Sequence, residues 1–288
     1  MSSIIEVKNL CFSYDGAAKP VRDAIHDVSF SVGYGEIIGI IGHTGSGKST
    51  LIQHLNGLLK PASGEVLLEG KNIWDEPKKI KDVRFKVGLV FQYPEYQLFE
   101  ETVFEDIAFG PKNMGLKGEE LDNRVRNICE TVGIKEEYFE KSPFDLSGGE
   151  KRRVAIAGVM AMQPKVLILD EPIAGLDPRG RREIISMIKS YREKFGAAAI
   201  IVSHNMEDMA VLADKLLVMN GGRLEMFDTV YNVFSKGAHL FNIGLSVPAV
   251  TKILYLLNVK DRSIRTDIFT LGEAVEYLRS YGAGGGHA

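Results

Sequence analysis

The chain has 288 residues, enough for one large domain or two, and it can bury a substantial core. Hydrophobic residues make up 45% and charged residues 25%, as in ordinary globular proteins, and a net charge of −3 gives no reason to expect nucleic acid as a partner. The two cysteines, Cys11 and Cys129, fit no metal or redox spacing, which suits a reducing compartment and thiols that pack rather than react.

The start, Met1–Lys8, lacks the basic and long apolar segments of a signal peptide, and no apolar run is long enough to span a bilayer. Work at a membrane would require another chain to carry this one there. Residues 4–32 read as an antiparallel β region: Val28, Phe30 and Val32 alternate with polar neighbours, as do Ile5 and Val7. Tyr14 closes the first strand before a turn at Asp15–Gly16. Two readings stand for it, an aromatic platform for a nucleobase or a surface tyrosine at a strand end.

Ile37–Ile41 is a continuous apolar run of the kind a buried parallel strand shows. It leads into Gly42-His43-Thr44-Gly45-Ser46-Gly47-Lys48-Ser49, which satisfies the phosphate-loop pattern G-x-x-x-x-G-K-[ST] throughout. Glycines let the backbone approach phosphate oxygens, Lys48 supplies a mobile cation, and the Ser49 hydroxyl is a small hard ligand for Mg²⁺. Leu51, Ile52 and Leu55 follow at helical spacing, so strand, loop and helix stand in the required order, with the helix dipole directed at the anion.

A hairpin-like segment around Val66–Ile73 precedes a strand, Val87–Phe91, that ends at Gln92. Residues 93–154 then turn helical. Leu121, Val125, Ile128, Cys129 and Val132 form one apolar stripe that Gly133 stops, and the region reads as a helical subdomain inserted into the α/β core. Leu146-Ser147-Gly148-Gly149-Glu150 follows, with Ser147 as N-cap and bare backbone at the positive end of a largely buried helix, a second place built to meet an anion.

Val166–Leu169 is a further buried strand, and it ends in Asp170-Glu171. Adjacent carboxylates at the end of an apolar strand are costly unless they serve a cation or a proton. Asp170 is placed to hold hydrated Mg²⁺ and Glu171 to take a proton from an attacking water. After Ala174-Gly175-Leu176, Asp177 and Pro178 start a helix bearing Ile184, Ile185, Ile188 and Tyr191. The apolar strand Ala199–Val202 delivers Ser203-His204; a lone histidine is usually structural, but one at the sheet edge shared with two phosphate-site motifs is expected to reach a γ-phosphate. Ala249, Val250, Ile253, Leu254 and Leu257 after Pro248, then Leu271, Ala274, Val275 and Leu278 behind a Thr270–Glu273 capping box, predict a small helical extension at 236–281. Residues 282–288 are glycine-rich and are expected to be disordered.

In this order the motifs resemble those of ABC-type ATPases over about residues 4–235, a specific combination although each piece alone is not. The resemblance implies an α/β nucleotide-binding domain over 1–235: a phosphate-loop parallel-sheet core, an antiparallel β region and a helical subdomain near 93–154. It further implies ATP and Mg²⁺ sandwiched between two subunits. Tyr14 and residues Gly42, His43, Thr44, Gly45, Ser46, Gly47, Lys48, Ser49 and Thr50 of one subunit would bind the nucleotide. Ser147, Gly148, Gly149, Glu150 and Asp177 of the other would complete the site. Lys48, Gln92, Glu171 and His204 would carry catalysis, with Ser49, Gln92 and Asp170 on the metal. A monomer would be a poor catalyst.

Phe91–Phe99 and Glu105–Pro111, with the C-terminal extension, are similar to the ATPases of energy-coupling factor (ECF) importers, most of all the second, A′-type subunit. That similarity implies several partners: a second ATPase, a non-identical paralogue or a second copy, a transmembrane coupling protein docked near 92–110, and a substrate-binding membrane subunit. It also implies a peripheral place on the cytoplasmic face of the membrane and uptake of a vitamin or transition-metal ion. The ATPase of an ordinary binding-protein-dependent importer is the alternative. A soluble ABC protein acting on DNA or ribosomes is disfavoured, because no sustained heptads lie between Lys48 and Leu146, and a catalytically dead scaffold is disfavoured by Lys48, Asp170, Glu171 and His204. Two positions depart from the common pattern: Glu150 replaces Gln, with little effect expected at a helix N-terminus, and Ile173 replaces Thr.

Overall fold

A computed structural model describes residues 3–14 and 22–284, so the turn expected at Asp15–Gly16 and the last four residues lie outside the described residues. Strands β1 (Ser3–Tyr14) and β2 (Arg22–Gly33) come first, then β3 (Ile37–Ile41), helix α1 (Lys48–Leu55), β4 (Ser63–Leu68), β5 (Lys71–Asn72), α2 (Ile80–Lys86) and β6 (Val87–Val90). Helices α3 (Val103–Asn113), α4 (Gly118–Val132) and α5 (Gly148–Met160) precede β7 (Val166–Asp170), α6 (Pro178–Phe195) and β8 (Ala198–Val202). The chain continues through α7 (Met206–Leu212), β9 (Lys215–Asn220), β10 (Arg223–Thr229), α8 (Val230–Phe234), α9 (Gly237–Asn242), α10 (Ala249–Lys260) and α11 (Leu271–Gly284).

The strands form two sheets. One is antiparallel, in the order β2-β1-β4-β5; the other runs β10-β9-β3-β8-β7-β6, parallel from β9 to β6 with β10 antiparallel at its edge. Both faces of the parallel sheet are covered, which accounts for the continuous apolar runs in the sequence. In β3, Ile37 and Ile41 face the core built with α3–α6, while Ile38 and Ile40 face the core shared with α1 and the antiparallel sheet. β7 divides likewise, with Leu167 and Leu169 on one side and Val166 and Ile168 on the other.

The α4 stripe of Leu121, Val125, Ile128, Cys129 and Val132 is buried as its spacing predicts, and the helix stops at Gly133 in the left-handed conformation. Burial pushes the Cys129 thiol up to about 12, in keeping with a packing role.

Two features of the C-terminal helices stand out. Of the apolar set expected on α10, Leu254 is buried with Ile264, Ile268 and Ala274, and Val250 and Leu257 pack against them, whereas Ile253 is exposed, as are Leu256 and Val259 outside that set. Two short helices meeting across one small cluster can cover only one line of side chains each, and Leu271, Val275 and Leu278 of α11 are left outside as well. Secondly, α11 runs through Gly284, so residues 282–284 are helical rather than disordered. Adding a glycine to an existing helix costs about 1 kcal/mol, far less than nucleating a new one.

Candidate functional site

Three parallel strands deliver their carboxyl ends to one edge of the sheet, where open α/β sheets place ligands. The register is tight: Ile40 pairs with Val202 and Asp170 with Val202. The ladder continues past the strands, since the Glu171 N–H donates to the Val202 carbonyl at 2.9 Å and the Ser203 N–H to the Ile40 carbonyl at 3.2 Å. Gly42, Asp170-Glu171 and Ser203-His204 therefore emerge side by side.

The loop after β3 fits tightly beneath and is open above. A Cβ on Gly42 would lie 2.5 Å from the Met219 carbonyl oxygen, so only glycine lets the loop leave the sheet here. Gly47 has φ 99° and forms the N-cap of α1 without a side-chain cap, which leaves the first N–H groups of that helix for an anion. A cavity of ≈ 310 Å³ above is lined by Tyr14, Gly45, Gly47, Lys48, Ser49 and Thr50. The Lys48 ammonium donates to the Gly42 and His43 carbonyls at 2.7 and 2.9 Å. Burial pulls the Lys48 pKa below its ordinary value, against the pull of the Glu171 and Asp170 carboxylates. Tyr14 is half-exposed at the cavity's rim, its hydroxyl 3.1 Å from Thr50 Oγ1, its ring edge-on to Phe12.

Ser49 Oγ lies 3.5 Å from Asp170 Oδ2. Burial, and then the Glu171 charge, push the Asp170 carboxyl above its ordinary value, so a cation between these two oxygens would relieve an anion that its surroundings disfavour. No group of three or more His, Cys, Asp or Glu side chains able to hold a metal occurs among the described residues. A hydroxyl and one carboxylate are the sparse hard-oxygen set that suits Mg²⁺, which keeps waters and phosphate oxygens as its other ligands.

Glu171 accepts from His204, with Oε1 and Nδ1 2.8 Å apart. Its backbone sits at φ 50°, a left-handed conformation that a non-glycine residue keeps only where its surroundings enforce it. Gln92 stands exposed just beyond the end of β6, beside the strand that carries Asp170.

The second anion-facing motif lies elsewhere. Ser147, Gly148, Gly149, Glu150, Gly175 and Asp177 line a separate cavity of ≈ 480 Å³ that shares no residue with the first. Ser147 caps α5 as expected, and Asp177 caps α6 by accepting from the Gly180 N–H at 2.7 Å. The structure assigns Glu150 a part that the sequence reading missed. Its carboxylate accepts from the Ser147 N–H at 2.8 Å and the Ser147 hydroxyl at 2.6 Å, closing a capping box. The signal was present as S-x-x-E, but the motif was read through its glycines. Also unanticipated is the buried Arg152, which binds Glu95 across the same cleft. No local pattern pairs residues so far apart in sequence.

Comparison with known proteins places these features in context. A family model described as "ABC transporter" matches residues 25–174. The energy-coupling factor transporter ATP-binding protein EcfA2 of Caldanaerobacter subterraneus is 53% identical, over 96% of this chain and 97% of the relative. The protein of the same name from Clostridioides difficile is also 53% identical, over 95% and 96%. Among solved structures, cbiO1 of Clostridium perfringens, described as part of the ABC transporter complex cbiONQ, superposes with a TM-score of 0.74 at 38% identity, covering 84% of this chain and 95% of that one. The ATP-binding cassette MJ0796, as a dimer bound to ADP and Pi, gives 0.69 at 26% identity, over 78% and 98%.

Proposed function

The chain belongs to the ABC transporter family as an ATP-binding, ATP-hydrolysing subunit of an energy-coupling factor transporter, and from that premise we propose that it energises uptake of a micronutrient, a vitamin or a transition-metal ion. The observation that carries the reading is the meeting of the phosphate loop, Asp170-Glu171 and His204 at one sheet edge, with Glu171 hydrogen-bonded to His204.

In this reading the uncapped start of α1 and the N–H groups of residues 43–48 cradle the phosphates, Lys48 exchanges its loop carbonyls for phosphate oxygens, and Tyr14 stacks on the base. Ser49 and Asp170, with Gln92 from the neighbouring strand end, would hold Mg²⁺, which would supply neutralisation of phosphate charge. Glu171 accepts the proton of the attacking water, and His204 fixes the Glu171 carboxylate while reaching toward the γ-phosphate. The cleft at Ser147–Glu150 and Asp177 lies apart from the phosphate loop within one chain. This supports a head-to-tail pair in which each signature completes the other subunit's site. The same reading takes 1–235 as the ATPase domain and 236–281 as the pairing extension.

No described helix is long and apolar enough to cross a membrane, so membrane work requires partners. Phe91, Tyr93, Tyr96, Phe99 and Phe109 are exposed together around the segment proposed to dock the coupling protein, which would hold the chain at the cytoplasmic face of the membrane. Mass spectrometry of what co-purifies from detergent-solubilised native membranes tests this. A second ATPase, a coupling protein and small substrate-binding membrane proteins are expected, and the last identify the cargo. Two copies of this chain with a conventional permease would instead assign it to an ordinary importer.

A further inference from the structure

Arg152 stands in the second turn of α5 with its side chain only 5% exposed, and its partner Glu95 is 15% exposed. Its Nε and Nη2 donate to the two Glu95 oxygens at 3.0 and 2.6 Å, the bidentate geometry that suits a guanidinium to a carboxylate. Its Nη1 donates to the Ala174 carbonyl at 2.5 Å and, more weakly, to the Pro172 carbonyl at 3.4 Å. A guanidinium so far from water persists only when its donors are used, and these contacts engage each of its three nitrogens, four N–H donors of five.

With its own helix, the contacts of Arg152 bring three working segments together. Glu95 sits in the turn Pro94–Gln97, just after Gln92 and within the exposed aromatic surface. Arg152 follows the Ser147–Glu150 cap on α5. Pro172 and Ala174 flank Ile173, immediately after Glu171. The strained Glu171 backbone is held from one side by its N–H bond to Val202, and the Ala174 N–H returns to the Glu171 carbonyl at 3.3 Å. The far end of that turn is held by Arg152. Burial is the largest single influence on Glu95 and raises its pKa, but the Arg152 hydrogen bonds, a backbone hydrogen bond and the Arg152 charge together hold it below its ordinary value.

We propose that Arg152 is a positioning residue for ATP hydrolysis, which through the Ala174 and Pro172 carbonyls sets the turn that aims Glu171 and through Glu95 ties that turn to the partner-docking segment. This rests on the transporter-ATPase reading above. Movement of residues 92–99 by a membrane partner would be passed to the hydrolytic turn through one rigid fork. Lysine cannot replace it, since a single ammonium on a flexible stem cannot span a carboxylate and two carbonyls in fixed geometry.

The test compares Arg152→Lys and Glu95→Gln with the unaltered chain in the intact membrane complex, reading kcat and KM for ATP separately. A misaimed base lowers kcat by roughly 10- to 100-fold while KM stays within about twofold, because the phosphate loop is untouched. Glu95→Gln, which keeps an acceptor for one N–H, loses less. Unchanged kcat in both variants overturns the proposal, and so does a loss carried by KM. Should Arg152→Lys fail to fold, Glu95→Gln decides alone by the same split. Failure of the transporter reading shows itself differently, as no membrane protein recovered with the unaltered chain, and the kcat comparison then proceeds on the paired ATPases.

Discussion

Glu171 is the residue to which the proposed hydrolytic mechanism assigns the general base. It has a carboxylate 2.8 Å from His204 Nδ1, a left-handed backbone, and a phosphate loop across the strand ends. Glu171→Gln keeps the size of the side chain and removes its basicity. ATP affinity is expected to hold while turnover falls about 10²–10⁴-fold, the usual worth of a general base, in a binding titration set beside steady-state hydrolysis. Full turnover in the variant would exclude Glu171 as the base. Glu171 and its neighbour Asp170 are legible in sequence because carboxylates at the end of an apolar strand are costly without a task. The strain at Glu171 is not legible, because φ at a single residue is set by what holds its two flanks. Glu150 falls between these cases: an acid at a helix start was foreseen as harmless, and the structure turns it into half of a capping box.

At the scale of elements, the segment between α10 and α11 meets α8 through a polar cluster at Asp267, beside the packing of Phe269 on Phe234. Asp267 accepts from the Tyr231 hydroxyl of α8 at 2.9 Å and from Arg265 at 2.9 and 3.0 Å. The Arg265 bonds pull the Asp267 carboxyl down to about 2. A carboxyl depressed on folding stabilises the folded arrangement above its unfolded value near 4, and that contribution disappears as pH falls from about 4 toward 2. Hydrogen exchange at residues 231–234 and 264–269 is therefore expected to rise across that window. Asp267→Asn should raise exchange already at neutral pH and remove this step. An identical acid profile in the variant would refute the assignment. The existence of α10 and α11 was legible from their spacing and from the Thr270–Glu273 box, whose reciprocal bonds are present. Which faces they bury was not, because two amphipathic stripes do not specify the single line along which a pair of short helices meets.

For the molecule as a whole, the decisive fact is that the phosphate-loop cavity and the Ser147–Asp177 cavity are both built within one chain and do not touch. If two subunits complete each other's sites, specific ATP turnover of the purified chain rises with its concentration and levels off when pairing saturates. A specific rate independent of dilution over a hundredfold range would show that one chain is sufficient. Ile253, Leu256, Val259 and Leu271 are exposed on the C-terminal helices and would be available to such a pair.

By itself the sequence determined the parallel core, the phosphate loop, the strand-end carboxylates, the α4 stripe and the helix starts. Each is written within a dozen neighbouring residues as periodicity, glycine placement or a capping pattern, and local sterics enforce it wherever the segment sits. The tertiary structure alone decided which strand ends stand side by side, which carboxylate His204 meets, and that Arg152 clamps Glu95 to the turn after Glu171. Those pairings join residues far apart in the chain, and the hydrogen bonds and charge attraction that offset the cost of leaving water exist only once the sheet and the helices have brought the partners together.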